Sequence, residues 1–419
     1  MTAFHSTDMT VKTCKRCLYR DDHPLGLVID DDGICSGCRI HEEKDQLDWD
    51  HRWHELETLV APYRSTDTRN YDCIVPVSGA GDSYFIVHTV VNRLKLKPLL
   101  VTYNRYYNTP LGIRNLANLR RKFNVDILIQ NVNPRSVKSI IRTTLRRFGS
   151  FHWPAIAGQT VFPVQTAVSH RIPLIIWGAH QGLEQVGMFS HLHNVEMTRR
   201  YRKDHDLMGF EADDLLSIFD NLKEEEVWQY RYPSWDELND IGVRGIYLGN
   251  YMRWDPLAQH QQMVELYNYQ SAEQNRTFDV FDHVDDWHYA DTHDWIKFEK
   301  HGYGKATDHA CREIRHGRIS RQIGKNLNDH YVQQKPKNMK LLLEWLGLNE
   351  QSLNYLLKPN AIEGMKVNNI ELNTIVDSAP SKTSTGAVIR EIFQPNSSLG
   401  LDQRTPSPVI IGKGYPDIK

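Results

Sequence analysis

A run of small and hydroxyl-bearing residues follows the first apolar segment that has the character of a buried strand. The segment Cys73-Ile74-Val75-Pro76-Val77 is followed by Ser78-Gly79-Ala80-Gly81-Asp82-Ser83, and a helical pattern begins at Tyr84. Where a strand turns directly into a helix, unpaired backbone N–H groups and the helix dipole favour an anion. Glycine lets a phosphate approach the backbone, and serine hydroxyls can donate to it. The sequence therefore predicts a phosphate-binding turn at residues 78–83.

An aspartate within this turn needs its own explanation, because a carboxylate repels phosphate. The side chain of Asp82 suits the turn if it binds the Mg²⁺ that accompanies a nucleoside triphosphate. No lysine follows the glycines, so the turn is not the common P-loop, which requires one. The alternative is a glycine-rich connection that binds no ligand.

Two pairs of cysteines near the N-terminus have the spacing of a metal site. Cys14 and Cys17 form one CxxC pair, Cys35 and Cys38 form another, and seventeen residues separate the pairs. Four thiolates in two such pairs suit the tetrahedral coordination that zinc prefers. A CxxC pair can also carry dithiol redox chemistry, although that motif usually stands alone before a helix. We expect a structural Zn²⁺ held by all four cysteines, which leaves no open position for catalysis.

The elements that must position these residues alternate along the middle of the chain. From residue 72 to about 180, short β-rich segments alternate with longer helical ones, and the predicted strands are 72–77, 98–103, 125–131 and 173–177. Strands that alternate with helices predict an α/β fold with a doubly wound parallel sheet.

Changes in composition divide the 419 residues into five parts. We predict a four-cysteine zinc module at 1–45, a linking helix at 46–70, the α/β domain at 71–255, a mostly helical C-terminal region at 256–375 and a flexible tail at 376–419. The first part is too short and too polar to build an apolar core, so a metal must hold it together.

Composition and charge argue against several classes of protein. The 50 lysines and arginines nearly balance the 52 aspartates and glutamates, and a net charge of -2 gives no general attraction to nucleic acid or to an anionic membrane. No apolar run reaches the roughly 20 residues of a membrane helix, and residues 1–9 have no apolar stretch of a secretory signal. We therefore expect a cytoplasmic protein.

The turn at 78–83 resembles the signature of the PP-loop ATP pyrophosphatases, the adenine nucleotide alpha hydrolase-like proteins. That signature is SGGxDS after the first strand, and this chain departs from it at Ala80, where the family has a second glycine. The resemblance implies a PP-loop (HUP-like) sheet and transfer of AMP to a substrate with release of pyrophosphate. It also implies that ATP is bound by Ser78, Gly79, Ala80, Gly81, Asp82 and Ser83.

Further stretches resemble one branch of that family, the N-acetyl sugar amidotransferases of bacterial surface-polysaccharide and flagellar-glycan biosynthesis. They are the two CxxC pairs, the turn, 98–104, 112–116, 173–178, 308–315 and 317–321. The branch converts the acetamido group of a nucleotide-linked or free amino sugar into an acetamidino group, with ATP and ammonia. The resemblance implies that the ammonia comes from a separate glutaminase subunit, which works with a cyclase-like barrel.

Other candidate site residues follow the ends of the predicted strands, where parallel sheets bind ligands. Tyr103 and Asn104 end the second strand and are expected to contact adenosine. Gly178 ends the fourth strand, where backbone can approach the ribose or the α-phosphate. His180 and Glu184 could bind sugar hydroxyls or take a proton from ammonia, or could be ordinary polar residues of an exposed loop. Two basic segments, 142–147 and 199–203, could contact phosphates or lie solvated on helix faces.

Two other functions remain compatible with the sequence. A tRNA-modifying PP-loop enzyme also combines a zinc module with this turn. Its thiolating members need cysteines in the nucleotide domain, whereas only Cys73 and Cys311 lie outside the CxxC pairs. A non-catalytic scaffold would result if Ala80 abolished hydrolysis of ATP. The presence of Asp82 and both serines of the turn favours an enzyme.

Overall fold

The structure of the chain is a computed structural model. It describes residues 11–65, 70–218, 221–287, 289–358 and 392–396. Most of the predicted tail, at 376–391 and 397–419, lies outside the described residues, as do residues 1–10 of the predicted zinc module.

Five parallel strands form a sheet in the order β3-β2-β1-β4-β5. The strands are β1 Cys73–Pro76, β2 Pro98–Tyr103, β3 Asp126–Gln130, β4 Leu174–Trp177 and β5 Arg244–Tyr247. The predicted parallel α/β sheet and its first four strands are confirmed, with ends that shift by at most one residue. The more specific prediction, a doubly wound sheet of the PP-loop (HUP-like) type, remains a prediction.

The sequence does not predict β5. This strand has four residues, which is too short for a periodic pattern to stand out. Its place is fixed by pairing with β4, in register from Leu174 opposite Arg244 to Trp177 opposite Tyr247.

Helices occupy most of the remaining described residues. They are α1 Ser36–Glu43, α2 Trp49–Val60, α3 Gly81–His88, α4 Pro110–Phe123, α5 Pro134–Phe148, α6 Trp153–His170, α7 Arg199–Tyr201, α8 Ala212–Ile218, α9 Glu224–Val227, α10 Trp235–Ile241, α11 Pro256–Tyr267, α12 Asp294–His301, α13 Lys305–Arg315, α14 Arg321–Val332, α15 Met339–Leu346 and α16 Glu350–Leu357. Single π-helical turns, at Gly182–Val186 and Arg202–Asp206, follow β4.

Apolar side chains cover both faces of the sheet, as a parallel sheet requires. On one face, Cys73 and Val75 of β1 join a buried cluster with Tyr84 of α3. On the other face, Ile74 packs in a cluster with Val164 of α6. The alternation along β1 therefore places one set of helices against each face.

The direction in which strands are added reverses at β1. The chain adds β2 and β3 on one side of β1, and then returns through α5 and α6 to add β4 and β5 on the other side. In parallel sheets, ligands bind outside the carboxyl ends of the strands at such a reversal. The turn at 78–83 follows β1 directly and lies at this point.

The cysteine-rich residues at the N-terminal end pack against helices near the other end of the chain. Tyr19 Oη donates to Asp308 Oδ1 at 2.7 Å, and the Leu18 N–H donates to Cys311 Sγ at 3.3 Å, both in α13. Arg321 of α14 donates to the backbone carbonyl of Cys17 at 3.1 Å. The cysteine-rich segment is therefore built into the fold.

Among the described helices, none combines the length and the apolar character that crossing a membrane requires.

Gly158 allows α6 to lie directly against β2. A Cβ at this position would lie 2.1 Å from Cδ2 and 2.4 Å from Cγ of the Tyr103 ring, so the helix or the ring would have to move. We expect Gly158→Ala to lower the free energy of unfolding by about 1–3 kcal/mol, measured by denaturant unfolding.

Gly324→Ala in α14 is the matched control. The new methyl would meet the terminal Cδ1 of Ile314 at 2.6 Å, and the end of a flexible side chain can move aside. Its effect should stay below about 1 kcal/mol, because alanine also favours a helix over glycine. Equal effects of the two substitutions would contradict the close contact between α6 and β2.

Candidate active site

The turn at residues 78–83 is closed by its own two serines. The Ser78 N–H donates to Ser83 Oγ at 3.0 Å, and the Ala80 N–H donates to Ser78 Oγ at 3.2 Å. Gly79 has a φ of 95°, which residues with a side chain rarely adopt. A Cβ there would also lie 2.8 Å from the carbonyl oxygen of Gly112 in α4. Position 79 therefore requires glycine.

Helix α3 begins inside this turn, at Gly81, and not at Tyr84 as the sequence predicts. Its N-cap, Ala80, has no side-chain acceptor for the first N–H groups of the helix, which suits an anion at this end. Ala80 has φ of -82° and ψ of 170°, an ordinary extended conformation. Alanine in place of the second glycine of the signature therefore causes no backbone strain.

His260 of α11 orients the carboxylate of Asp82. His260 Nε2 lies 2.8 Å from Asp82 Oδ1 and 3.7 Å from Asp282 Oδ1. Burial alone would lower the pKa of His260, but the hydrogen bond to Asp82 and the charge of Asp282 outweigh it, so the pKa is raised. A Cβ at Gly81 would lie 2.4 Å from the His260 ring, so a glycine there allows this approach.

Charged side chains of the C-terminal region support this pair. Arg312 donates to Asp282 Oδ2 at 2.7 Å and also to Asp279. Burial alone would raise the pKa of Asp279, yet His309 and Arg312 hold it well below its usual range. Ligand atoms of Asp279, Asp282 and His309 lie within 4.8 Å of one another, but Arg312 already pairs with both carboxylates. Asp82, whose side chain is 43% exposed, is the carboxylate that fits Mg²⁺ here.

A cavity of about 410 Å³ opens at the carboxyl ends of the strands. Ser78 and Ser83 of the turn line it, together with Tyr103, Gly178 and Tyr247, which mark the ends of β2, β4 and β5. Its volume falls in the range of roughly 300–1,000 Å³ found for ligand sites. The turn and this cavity fit the phosphates and the body of a nucleotide. Other lining residues include Leu25, Arg105, His152, Gln159, Trp177, His180, Tyr201, Arg202, His205, Asp206 and His283.

The candidates at the end of β2 have different surroundings. Tyr103 lines the cavity with its ring, because its hydroxyl is hydrogen-bonded to Tyr230 Oη at 2.7 Å. Asn104 is not among the cavity-lining residues. Its Nδ2 donates to Asn131 Oδ1 at 2.7 Å, and its Oδ1 accepts from the Tyr106 N–H at 3.0 Å. Asn104 thus fixes the chain that follows β2.

His180 lies in the cavity wall and is 2% exposed. Its ring packs 4.3 Å from the ring centre of Tyr201 and 4.7 Å from that of Tyr247. Burial, together with the charge of Arg202, lowers the pKa of His180 to about 4. The imidazole is therefore neutral at pH 7 and has one nitrogen that can accept a proton.

Glu184 is not among the residues that line the cavity. Its carboxylate pairs with Lys44, which follows α1 and is 2% exposed. The Glu184 N–H donates to the carbonyl oxygen of His180 at 3.0 Å. Glu184 therefore connects the cysteine-rich module to the segment that carries His180.

Several residues of the site have no local signal in the sequence. His260, Asp282 and Arg312 lie in the helical C-terminal region and meet the turn only through the tertiary fold. Tyr247 ends the strand that the sequence does not predict. Arg202 belongs to the basic segment 199–203, and only its buried position distinguishes it from its solvated neighbours.

The four cysteines come together as their spacing predicts. All are fully buried, and their sulfur atoms lie within 4.8 Å of one another. The Sγ atoms of Cys14 and Cys38 are 4.0 Å apart, and those of Cys17 and Cys35 are 3.5 Å apart. Tetrahedral coordination with Zn–S bonds of about 2.3 Å places sulfurs roughly 3.8 Å apart. The cluster therefore fits Zn²⁺ with every position filled by protein.

Arg315 of α13 brings a positive charge to this cluster. Its Nη2 lies 3.7 Å from Cys35 Sγ, and its Nη1 donates to the carbonyl oxygen of Gln185 at 2.8 Å. Four thiolates around Zn²⁺ carry a net negative charge, which the guanidinium offsets. The same side chain thus connects the cysteine cluster, α13 and the π-helical turn after His180.

One protein family is similar to part of the chain. Residues 275–382 match the sequence model of a family described as LPS biosynthesis protein WbpG-like, C-terminal domain. The matched segment includes Asp279, Asp282, His309 and Arg312, the residues that support Asp82 through His260.

Matches to whole proteins add little. No curated protein sequence matches the chain. Among solved structures, the NMN synthetase from Francisella tularensis aligns over 52% of this chain and 95% of its own, with 10% sequence identity and a TM-score of 0.28. A likeness this loose carries no argument about function.

We expect Cys35→Ser to lose bound zinc and to melt at a lower temperature than the unaltered chain. The substitution removes one of four ligands and leaves Arg315 buried beside fewer negative charges. Zinc per chain is measured by elemental mass spectrometry, and melting by circular dichroism.

Cys73→Ala is the control for loss of a buried cysteine. Cys73 lies in β1, outside the cluster, so this variant should keep about one zinc per chain even if its stability falls. A full zinc content in Cys35→Ser would show that the cluster does not hold the metal.

Proposed function

We propose that the chain is an ATP-dependent amidotransferase that converts the N-acetyl group of a nucleotide-linked amino sugar into an acetamidino group. The product would enter bacterial lipopolysaccharide (LPS O-antigen) or a flagellar glycan. The observation that carries the proposal is the turn at 78–83, which caps α3 and opens on the cavity at the ends of the strands. The match of residues 275–382 to a family described by LPS biosynthesis supports the class of substrate.

The chemistry explains why a phosphate-binding turn belongs in such an enzyme. The oxygen of an amide is a very poor leaving group, so ammonia cannot displace it directly. Attack of the amide oxygen on the α-phosphorus of ATP forms a C–O–P linkage and releases pyrophosphate. Ammonia then adds to the carbon, AMP departs with the oxygen, and a proton is lost to a base. Binding of the β- and γ-phosphates at the head of α3 would leave the α-phosphorus exposed to the cavity.

His180 is the side chain that we assign to the proton transfer. It is neutral, lines the cavity and has an unprotonated nitrogen at pH 7, which are the properties of a general base. In this proposal Glu184 takes no part in proton transfer, because its carboxylate is paired with Lys44. It positions the segment that carries His180. Asp82 would hold Mg²⁺, which neutralises phosphate charge when it is bound. Tyr103 and Gly178 would contact the nucleoside.

The amidation needs a delivered nucleophile and a site that excludes water, because water would hydrolyse the adenylated intermediate. We propose that a glutaminase subunit, together with a cyclase-like barrel, supplies the ammonia. The Zn²⁺ of the cysteine cluster has no part in the reaction, since a closed four-thiolate site offers no open coordination position.

The proposal is tested by pyrophosphate release from ATP, with ammonium and a panel of UDP-linked and free N-acetyl amino sugars. Release that depends on a sugar, with a product about one mass unit lighter than the substrate, would establish amidine formation. Release stimulated by tRNA would favour the tRNA-modifying alternative, and the absence of any release would favour a scaffold.

In the same assay we expect Asp82→Ala to reduce pyrophosphate release by about 100-fold or more, because the charge and the ligand at the turn are lost together. Its zinc content should not change. Asp213→Ala is the matched control, because Asp213 pairs with Arg231 at the exposed surface. Unchanged turnover in Asp82→Ala would remove the turn from the mechanism.

A further inference from the structure

Six buried polar atoms without partners lie in one wall of the cavity, formed by residues at the ends of β4 and β5 and by Arg202. They are Trp177 Nε1, both ring nitrogens of His180, Nε and Nη2 of Arg202, and Tyr247 Oη, and none has a hydrogen-bond partner among the residues that the structure describes. All four residues line the cavity. Because buried polar groups in folded proteins nearly always find a partner, this wall is built to be completed by a ligand.

Arg202 is the charged member of the wall and is held firmly in place. It begins the π-helical turn Arg202–Asp206 and is 8% exposed. Its guanidinium lies over the ring of Trp177, 4.4 Å from the centroid, and its Nη1 donates to Asp206. The edge that remains is the one formed by Nε and Nη2, which presents two parallel N–H groups. This edge matches two oxygens of a phosphate or carboxylate.

The other polar atoms of the wall are mostly donors. The indole of Trp177 can only donate. Burial raises the pKa of Tyr247, so its hydroxyl stays protonated, and the neutral imidazole of His180 carries one N–H. With the two N–H groups of Arg202, the unpartnered atoms of the wall therefore offer five donors, against two acceptors, the second ring nitrogen of His180 and the hydroxyl oxygen of Tyr247. The carboxylate of Asp206 also lines the cavity, and it is paired with Arg202. A phosphate, with several acceptor oxygens, satisfies such a set better than a neutral hydroxyl group does.

The wall is distinct from the turn at 78–83. The turn offers backbone N–H groups at the head of α3, after β1, whereas the wall consists of side chains at the ends of β4 and β5 and in the π-helical turn that Arg202 begins. Both face the same cavity. A reactant held by the turn can therefore be accompanied by a second phosphate at the wall.

We propose that Trp177, His180, Arg202 and Tyr247 form a second phosphate subsite in this cavity. It binds either the α-phosphate of ATP or a phosphate carried by the sugar. Only the choice between these two sources rests on the proposed function, and the subsite itself is tested by binding without turnover.

Affinities of the full chain for paired probes are measured by isothermal titration calorimetry. The pairs are AMP with adenosine, and N-acetylglucosamine 1-phosphate with N-acetylglucosamine, and pyrophosphate serves as the probe of the turn. We expect the phosphorylated member of one pair to bind about tenfold more tightly than its partner. A preference in the first pair assigns the subsite to the α-phosphate, and one in the second pair assigns it to the sugar.

Arg202→Lys and Tyr247→Phe test the wall itself. The first keeps the charge but removes the two-pronged edge, and the second removes one unpartnered hydroxyl and keeps the ring. Each should reduce the preference for phosphate several-fold while the affinity for pyrophosphate stays unchanged. Arg199→Lys is the matched control, because Arg199 pairs with Glu211 and does not line the cavity.

Two results would overturn the subsite. One is an unchanged preference in both wall variants, and the other is an equal loss of pyrophosphate affinity, which would indicate a general structural defect. Tyr247→Phe still tests the subsite if Arg202→Lys fails to fold. It deletes a single atom that has no hydrogen-bond partner in the described part of the chain, so we expect it to fold normally. Intact phosphate preference without sugar-dependent pyrophosphate release would refute the proposed function and leave the subsite standing.

Discussion

The half-buried guanidinium of Arg312 makes the ion pairs on which the position of Asp82 in the turn depends. It pairs with Asp279 and Asp282, and the charge of Asp282 in turn favours protonation of His260, which holds Asp82. A buried charge that loses its partner costs about 3–5 kcal/mol, so the members of this chain of contacts are constrained together. The C-terminal helices therefore determine where the carboxylate at the head of α3 points. This explains how a segment distant in sequence, with its own family match, contributes to a site at the end of β1.

Residues from three parts of the chain line the cavity, because the strands alone cannot enclose it. A parallel sheet gathers the ends of its strands at one edge, but four-residue strands such as β1 and β4 provide few side chains there. Helix α6 and residues 201–206 supply further walls, and Leu25 of the cysteine-rich module and His283 of the C-terminal region also line the cavity. The cysteine cluster fits this role, because Arg315 joins it to α13 and to the π-helical turn behind His180. The cysteine cluster can thus help to fix the shape of the cavity without contributing a side chain to it.

The features that could be predicted from the sequence are those that depend on residues close together along the chain. The strand, glycine turn and helix at 73–88, and the two CxxC pairs, are local patterns with a direct physical cause, and the structure has each of them. The partner of Asp82 was beyond such reasoning, because His260 follows it by 178 positions and stands in no motif. β5 was missed because only its pairing with β4 makes it a strand. Glu184 was proposed, like His180, because it follows the end of β4, and in the structure its carboxylate pairs with Lys44. Position in the sequence does not tell which way a side chain faces, so such a contact could not be predicted.

The two ends of the cavity differ in the kind of group that would bind phosphate, and the difference suits the adenylating reaction that we propose. At the turn, backbone N–H groups and a helix dipole are fixed by the fold and cannot move during the reaction, which suits a leaving group that is held throughout. At the wall, the donors belong to side chains, and Arg202 has Asp206 as its countercharge. The guanidinium of Arg202 is already oriented by packing against the rings of Trp177 and Tyr247. Binding of a phosphate there would therefore require little ordering of side chains. His180 lies in this same wall, and its low pKa, which comes from burial and from the charge of Arg202, keeps it neutral and able to accept a proton. The cation that orders the wall is thus also one reason that the imidazole beside it is neutral.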